Sequence, residues 1–174
     1  KVAQGLNLGF GAEYRYEYYT IYEGEEASYA GYPNSFGQAP GSQGFPGFSP
    51  NDVIKKSRSN LSAYVDAELN VTKEWLVDGA LRFENYSDFG SLATYKLATR
   101  YLVNKQLNIR GSVSTGFRAP SLQQINFSNT LTSFSGGQLV QSRIARNGDE
   151  VTRAAGIPNL KEETSTNASV GFAY

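Results

Sequence analysis

Side chains alternate in character from Gly5 to Tyr22. The even positions Leu6, Leu8, Phe10, Ala12, Tyr14, Tyr16 and Tyr18 are apolar or aromatic, while Gly5, Asn7, Gly9, Gly11, Glu13, Arg15 and Glu17 between them are small or polar. Successive side chains of a β-strand point to opposite faces, so this period of two predicts a strand over about 5–22 with one apolar flank. The pattern recurs over 59–71, where Leu61, Ala63, Val65, Ala67, Leu69 and Val71 oppose Asn60, Ser62, Tyr64, Asp66, Glu68 and Asn70. It recurs again over 75–87 (Trp75, Val77, Leu81 and Phe83 against Asp78, Arg82 and Glu84), 92–103, 107–117 and 163–174. No segment carries a convincing helical period.

The connections are of two kinds. Thr72-Lys73-Glu74 and Asn104-Lys105-Gln106 are tight turns, whereas 24–58 and 119–162 are very long, the first crowded with Gly, Pro, Ser and Asn. Loops of that length fit poorly in a compact soluble domain. They suit an antiparallel barrel with short turns at one rim and long loops at the other. Counting strand directions puts both long loops on the same side. The strands exceed the usual globular length of about 5–6 residues and match the roughly 9–11 needed to cross a bilayer at a tilt. Tyr14, Tyr16 and Tyr18 towards one end, with Trp75 and Tyr174 towards the other, form the aromatic girdles of a membrane barrel. A soluble β-sandwich also alternates and stays open as the alternative.

The polar flank holds Glu13, Arg15, Glu17, Asp66, Glu68, Asp78, Arg82, Glu84, Lys96, Arg100 and Arg110. An Arg or Lys at the bilayer midplane costs about 2–4 kcal/mol, so these residues are expected to face a wet lumen or an object inside it. Composition then removes whole classes of chemistry. The 174 residues contain no Cys and no His, which excludes disulfides, thiolate metal sites and imidazole catalysis. No cofactor or metal is expected. The 16 basic residues balance 16 acidic ones, so no basic excess is available for nucleic acid. Carboxylate pairs such as Asp66/Glu68 and Glu162/Glu163 sit on a charged wall or at a strand start, and the chain is not expected to be an enzyme. The opening Lys1 and the lack of an apolar leader predict a piece of something longer.

The run Gly111-Ser112-Val113-Ser114-Thr115-Gly116-Phe117-Arg118-Ala119-Pro120-Ser121-Leu122-Gln123-Gln124 strongly resembles the "S-x-G-F-R-A-P-S-L" strand-and-loop motif of TonB-dependent outer-membrane receptors. Upstream, Leu81 to Gly90 resembles the family's "R-x-E-x-Y-S-D-F-G" hairpin. Downstream, Pro158 to Ser165 is similar to its "N-L-K-P-E-x-S" approach, with Glu162 where Pro is common. The resemblance covers about residues 5–23 and 58–174. It implies a portion of a 22-stranded transmembrane β-barrel in the bacterial outer membrane, of which about six strands lie here. It also implies a plug domain in the same parent chain, a TonB partner engaged through an N-terminal region outside this chain, and import of a bulky nutrient such as a siderophore, cobalamin or glycan.

Within that frame Arg15, Arg82, Glu84, Arg100, Arg110 and Arg118 are expected to face the lumen or plug. Arg118 continues the parity of Arg110, Ser112 and Ser114; an inward anchor and a solvated arginine at the start of a loop are both open. Gly116 permits close packing and Pro120 ends ladder pairing. Tyr29, Tyr32, Phe36, Phe45 and Phe48 are candidate stacking residues in the first long loop. Arg143 and Arg146 are candidate anion contacts in the second, tempered by nearby Asp149 and Glu150.

Overall fold

The computed structural model describes residues 5–31, 41–42, 46–136 and 138–174. Six long strands form one sheet in chain order: β1 (Gly5–Ile21), β2 (Ile54–Asn70), β3 (Trp75–Tyr86), β4 (Gly90–Leu102), β5 (Asn108–Arg118) and β8 (Glu163–Ala173). The pairings β2–β3, β3–β4, β4–β5 and β5–β8 are all antiparallel. This is an all-β, up-and-down meander and it is not closed.

The tight turns are fixed by side chains. The Thr72 hydroxyl accepts the N–H groups of Glu74 and Trp75 at 3.2 and 3.0 Å. The Asn104 carbonyl accepts those of Gln106 and Leu107 at 2.8 and 2.9 Å, the local bonding that makes Thr and Asn turn residues. Between β3 and β4, Gly90 takes φ +103°, a left-handed value that a side chain would strain.

Two places differ from the sequence expectation. β2 begins at Ile54, inside the segment expected to be loop. The segment 119–162 holds two short helices, α1 (Leu122–Asn126) and α2 (Glu150–Ala154), and a separate hairpin of β6 (Asn129–Ser135) and β7 (Gln138–Ile144). Helices of about one turn are too short to display a helical period, and the hairpin's strands have 7 residues against 11 to 17 in the others.

The chain divides into two compact units. The strand unit comprises residues 1–16, 58–119 and 161–174, and the loop unit comprises 17–57 and 120–160. In the strand unit the usual burial is inverted. Leu8, Phe10, Val65, Leu81 and Leu97 are 63%, 81%, 46%, 50% and 53% exposed, whereas Arg58, Asn60, Ser62 and Glu84 are buried. The register explains how these residues share flanks: Val65 lies opposite Leu81, Leu81 opposite Tyr95, and Leu97 opposite Val113. Ser62 lies opposite Glu84 on the other flank.

Candidate functional site

The polar flank of the strand unit is organised around Arg82. Its Nε donates to Glu84 at 2.6 Å, and its Nη2 donates to Glu13 at 3.1 Å and Ser62 at 2.9 Å. Glu84 also accepts from the Asn60 amide at 3.1 Å and the Tyr86 hydroxyl at 2.9 Å. Glu13 accepts from Arg15 at 2.6 Å. Arg58 lies 5.5 Å from the Tyr86 ring centroid and pairs with Asp88 at 3.4 Å. Every carboxylate here meets a cation or several donors, which is what lets charge be buried at all. Gly11 has a specific part in the packing. A Cβ there would lie 2.7 Å from the Tyr64 ring, so only glycine lets that ring cross β1.

Elsewhere on this flank Lys96 pairs with Asp78 at 3.2 Å. A groove of about 580 Å³ is lined by Lys96, Arg82 and Asp66 together with Tyr64, Leu81 and Tyr95. On the opposite flank a groove of about 480 Å³ is lined by Trp75, Val77, Leu97, Val113, Ala168 and Val170. The first groove thus mixes charged and apolar lining, whereas the second is almost wholly apolar.

The six residues expected to face a lumen fall into three settings. Arg15, Arg82 and Glu84 share the network just described. Arg118 lies opposite Glu163 and pairs with it loosely, at 3.9 Å, with both side chains exposed. Arg100 lies directly opposite Arg110. The family-motif residues divide between the units. Gly116, Phe117, Arg118 and Ala119 end the strand unit; Pro120, Ser121 and Leu122 begin a stretch of the loop unit. β5 stops at Arg118, before Pro120, and Ser121 caps α1 by accepting the Gln124 N–H at 3.0 Å while Gln124 accepts that of Ser121. Simple alternation puts Phe117 beside Ile109 and Val113. Instead its ring meets Tyr86 edge-on at 6.1 Å, on the side of Glu84. The β4–β5 register ends at Lys96 and Ser114, where the Tyr95 N–H turns to the Thr115 hydroxyl, while β5 keeps its register with β8 through Phe117 and Arg118.

In the loop unit the centre is a residue that alternation could not flag. Asp52 is fully buried. Its Oδ2 accepts from the Ser49 N–H and hydroxyl at 3.1 and 2.7 Å, and its Oδ1 accepts from the Ser128 hydroxyl at 2.7 Å. Burial raises its pKa, but these bonds and the Arg143 charge outweigh it, so the carboxyl titrates below the ordinary aspartate value. The available signal was Ser49-Pro50-Asn51-Asp52, a serine followed three residues later by an acid, which here caps a single 3-10 turn over Pro50–Asp52.

Arg143 and Arg146, the candidate anion contacts, bond to the loop itself. Arg143 Nε donates to Ser128 at 3.1 Å, and its guanidinium lies 3.7 Å from Asp149. Arg146 Nη2 reaches the carbonyls of Asn51, Asp52 and Val53 at 3.3, 2.8 and 3.3 Å, and its Nε donates to the carbonyl of Asn126 at 3.2 Å. A planar, multiply donating cation suits a set of convergent carbonyls at the end of a helical turn. Phe48 packs edge-on against Phe127 at 6.0 Å and is half-buried. Tyr29 is half-buried after the turn over Glu26–Ser28. Tyr32, Phe36 and Phe45 lie outside the described residues. Among the described residues no group of three or more acidic side chains is placed to hold a metal.

The family model described as TonB dependent receptor-like, beta-barrel matches residues 2–174. A "Vitamin B12 transporter BtuB" of Photobacterium profundum is 22% identical over 116 residues, which is 67% of this chain and 15% of that protein. The "Probable TonB-dependent siderophore receptor PirA" of Acinetobacter baumannii is 29% identical over 134 residues, 71% of this chain and 16% of that one. The crystal structure of the siderophore receptor PirA from Acinetobacter baumannii superposes with a TM-score of 0.60 at 22% identity, covering 96% of this chain and 22% of that chain. The 174 residues thus span about a fifth or less of these relatives. With the family model matched almost end to end and the open meander superposing on part of a solved receptor barrel, the chain belongs to the TonB-dependent receptor β-barrel family.

Proposed function

We propose that this chain is a wall-and-rim portion of an outer-membrane importer of a bulky nutrient of the cobalamin, siderophore or glycan class. In this reading the apolar flank meets outer-membrane lipid and the charged flank faces the water-filled interior of a 22-stranded barrel. A plug domain of the same parent chain occupies that interior, and TonB acts through a region outside these residues. The observation that carries the reading is the inverted burial of the strand unit: Phe10, Leu81 and Leu97 exposed, Ser62, Asn60 and Glu84 buried. In water an exposed apolar face this extensive would be a liability, whereas in hydrocarbon it is required. The exposed flank also disfavours the sandwich alternative, in which that flank would be covered. The names of the relatives, a cobalamin transporter and a siderophore receptor, support a nutrient receptor and leave the class to experiment.

Segments 24–58 and 119–162 are the ligand-side rim in this proposal. Arg143 and Arg146 act there by holding the rim in shape, and the exposed side chains around them make the contacts. The test is deletion of the parent gene followed by uptake of radiolabelled cobalamin, ferric siderophore and oligosaccharide, with and without a proton gradient. Loss of energy-dependent uptake of one class is expected, with the protein in the outer-membrane fraction. Unchanged uptake of all three, or recovery of the protein as a soluble species, would overturn the proposal.

A further inference from the structure

In the strand unit two like charges on adjacent strands face each other with no anionic partner among the described residues. Among the described residues, the unit's strand segments within 5–16, 58–119 and 161–174 carry seven Lys and Arg residues, and five have an anionic partner: Arg15 with Glu13, Arg58 with Asp88, Arg82 with Glu13 and Glu84, Lys96 with Asp78, and Arg118 with Glu163. The other two, Arg100 and Arg110, are register partners on adjacent strands. Directly opposite residues have Cβ atoms about 4.5–5.5 Å apart, and like charges so placed are destabilising. Both side chains are exposed on the flank that holds Asp78 and Lys96. The nearby acids are engaged: Asp78 with Lys96, Glu68 with the Asn7 amide at 3.0 Å, and Glu74 with Thr72 at 3.1 Å. Room is made for the pair. Gly171 lies opposite Arg110 on the β8 side, and a Cβ there would lie 3.3 Å from Arg110 Nε.

We propose that Arg100 and Arg110 together grip a carboxylate of an acidic polypeptide segment belonging to the parent chain outside these 174 residues. Two guanidiniums side by side match a carboxylate's two oxygens through charge-assisted hydrogen bonds. The relatives are more than four times as long as this chain, so most of such a receptor lies outside this segment and can supply the acid. Arg100 is four residues before Asn104 and Arg110 four after Gln106, so the clamp sits at the tight-turn end of the β4–β5 hairpin. The proposal rests on the importer reading, whose test reads location and uptake; the test here reads a covalent contact and can fail separately.

The experiment uses the full-length receptor in detergent with Arg110→Lys, and separately Arg100→Lys, treated with a water-soluble carbodiimide and mapped by mass spectrometry. Guanidinium does not react, whereas the introduced amine condenses with a carboxylate in contact with it. The native Lys96–Asp78 pair is the internal control for the chemistry. The expected result is a new cross-link from position 110 or 100 to one Asp or Glu outside this segment, absent from the unsubstituted receptor. Cross-links only to acids within the segment, or none while Lys96 and Asp78 are joined, would overturn the proposal. So would protection by inorganic phosphate with no polypeptide carboxylate captured, which identifies a small-anion site instead.

Discussion

The strand unit and the loop unit solve opposite problems with the same polar chemistry. In the strand unit the backbone is satisfied by the ladders, and the side chains sort by flank: Leu81 and Leu97 outward, Arg82, Glu84 and Asn60 against one another. In the loop unit the residues around Asp52 have little ladder, so side chains satisfy backbone directly. Arg146 serves four carbonyls, and Asn147 bridges the Pro158 carbonyl and the Leu160 N–H. The lesson is that a buried polar group is a by-product of flank sorting in one unit and the organising centre in the other. In the loop unit Asp52 is the buried carboxylate on which the Ser49 and Ser128 donors converge.

That contrast is broken most readily at Asp52. Asp52→Ala orphans three donors, the Ser49 N–H and hydroxyl and the Ser128 hydroxyl, and each donor left unsatisfied out of water costs about 1–3 kcal/mol. Hydrogen exchange should then accelerate across 49–53 and 126–146 while the β2–β5 ladders stay protected. Uniform acceleration would show that the two units are not independent.

A second comparison sets the flanks of β4 against each other. Leu97→Arg places a charge on the apolar flank, and in a bilayer it should cost about 2–4 kcal/mol in urea titration of the inserted receptor. Ala98→Arg, one residue on and opposite Asp78, should cost little. Equal costs would remove the basis for assigning flanks.

Acid separates the units more gently. Because the folded pKa of Asp52 lies below its ordinary value of about 3.9, its contribution to the loop unit is present above that pH. It is lost as pH falls from about 4 through the lowered folded value. Exchange of residues 49–53 should rise in that window, and Asp52→Asn should flatten the dependence. The smallest effect belongs to the exposed pair Arg118 and Glu163, where Arg118→Ala should change stability by about 0–1 kcal/mol. A larger loss, confined to the full-length receptor, would show that Arg118 bonds to something beyond this segment.

The legibility of the sequence divides along the same line. Alternation over Leu6 to Tyr18 and over Leu61 to Val71 is a repeated physical demand, one flank greasy and the other wet, so it is written many times and reads easily. The register did not need to be guessed either: Thr72 and Asn104 each close a turn of fixed length, which pins the strands around it. The loop unit is written once. Its turn over Pro50–Asp52 and helix α1 are signalled only by Ser49…Asp52 and Ser121…Gln124, α2 has no such capping box, and the hairpin is marked by Gly136, cues too short for any period to reinforce. Arg143 and Arg146 were visible as a cationic pair, but their work depends on carbonyls brought from Asn51 to Val53, about ninety residues away in the chain. Phe117 shows the limit of counting even within strands, since its ring meets Tyr86 although β5 keeps a regular register with β8 up to Arg118.

The central claim concerns which medium each flank of the sheet touches. The chain has no native cysteine, so single cysteines carrying a nitroxide can be placed along β2, β3 and β4 of the receptor in outer-membrane vesicles. Collision with oxygen, which partitions into lipid, is compared with collision with a water-soluble relaxing agent. Labels at 65, 81 and 97 should be relaxed by oxygen and labels at 66, 80 and 98 by the aqueous agent, alternating at every step. Equal aqueous access on both flanks, or labels at 65, 81 and 97 shielded from both agents, would contradict the account.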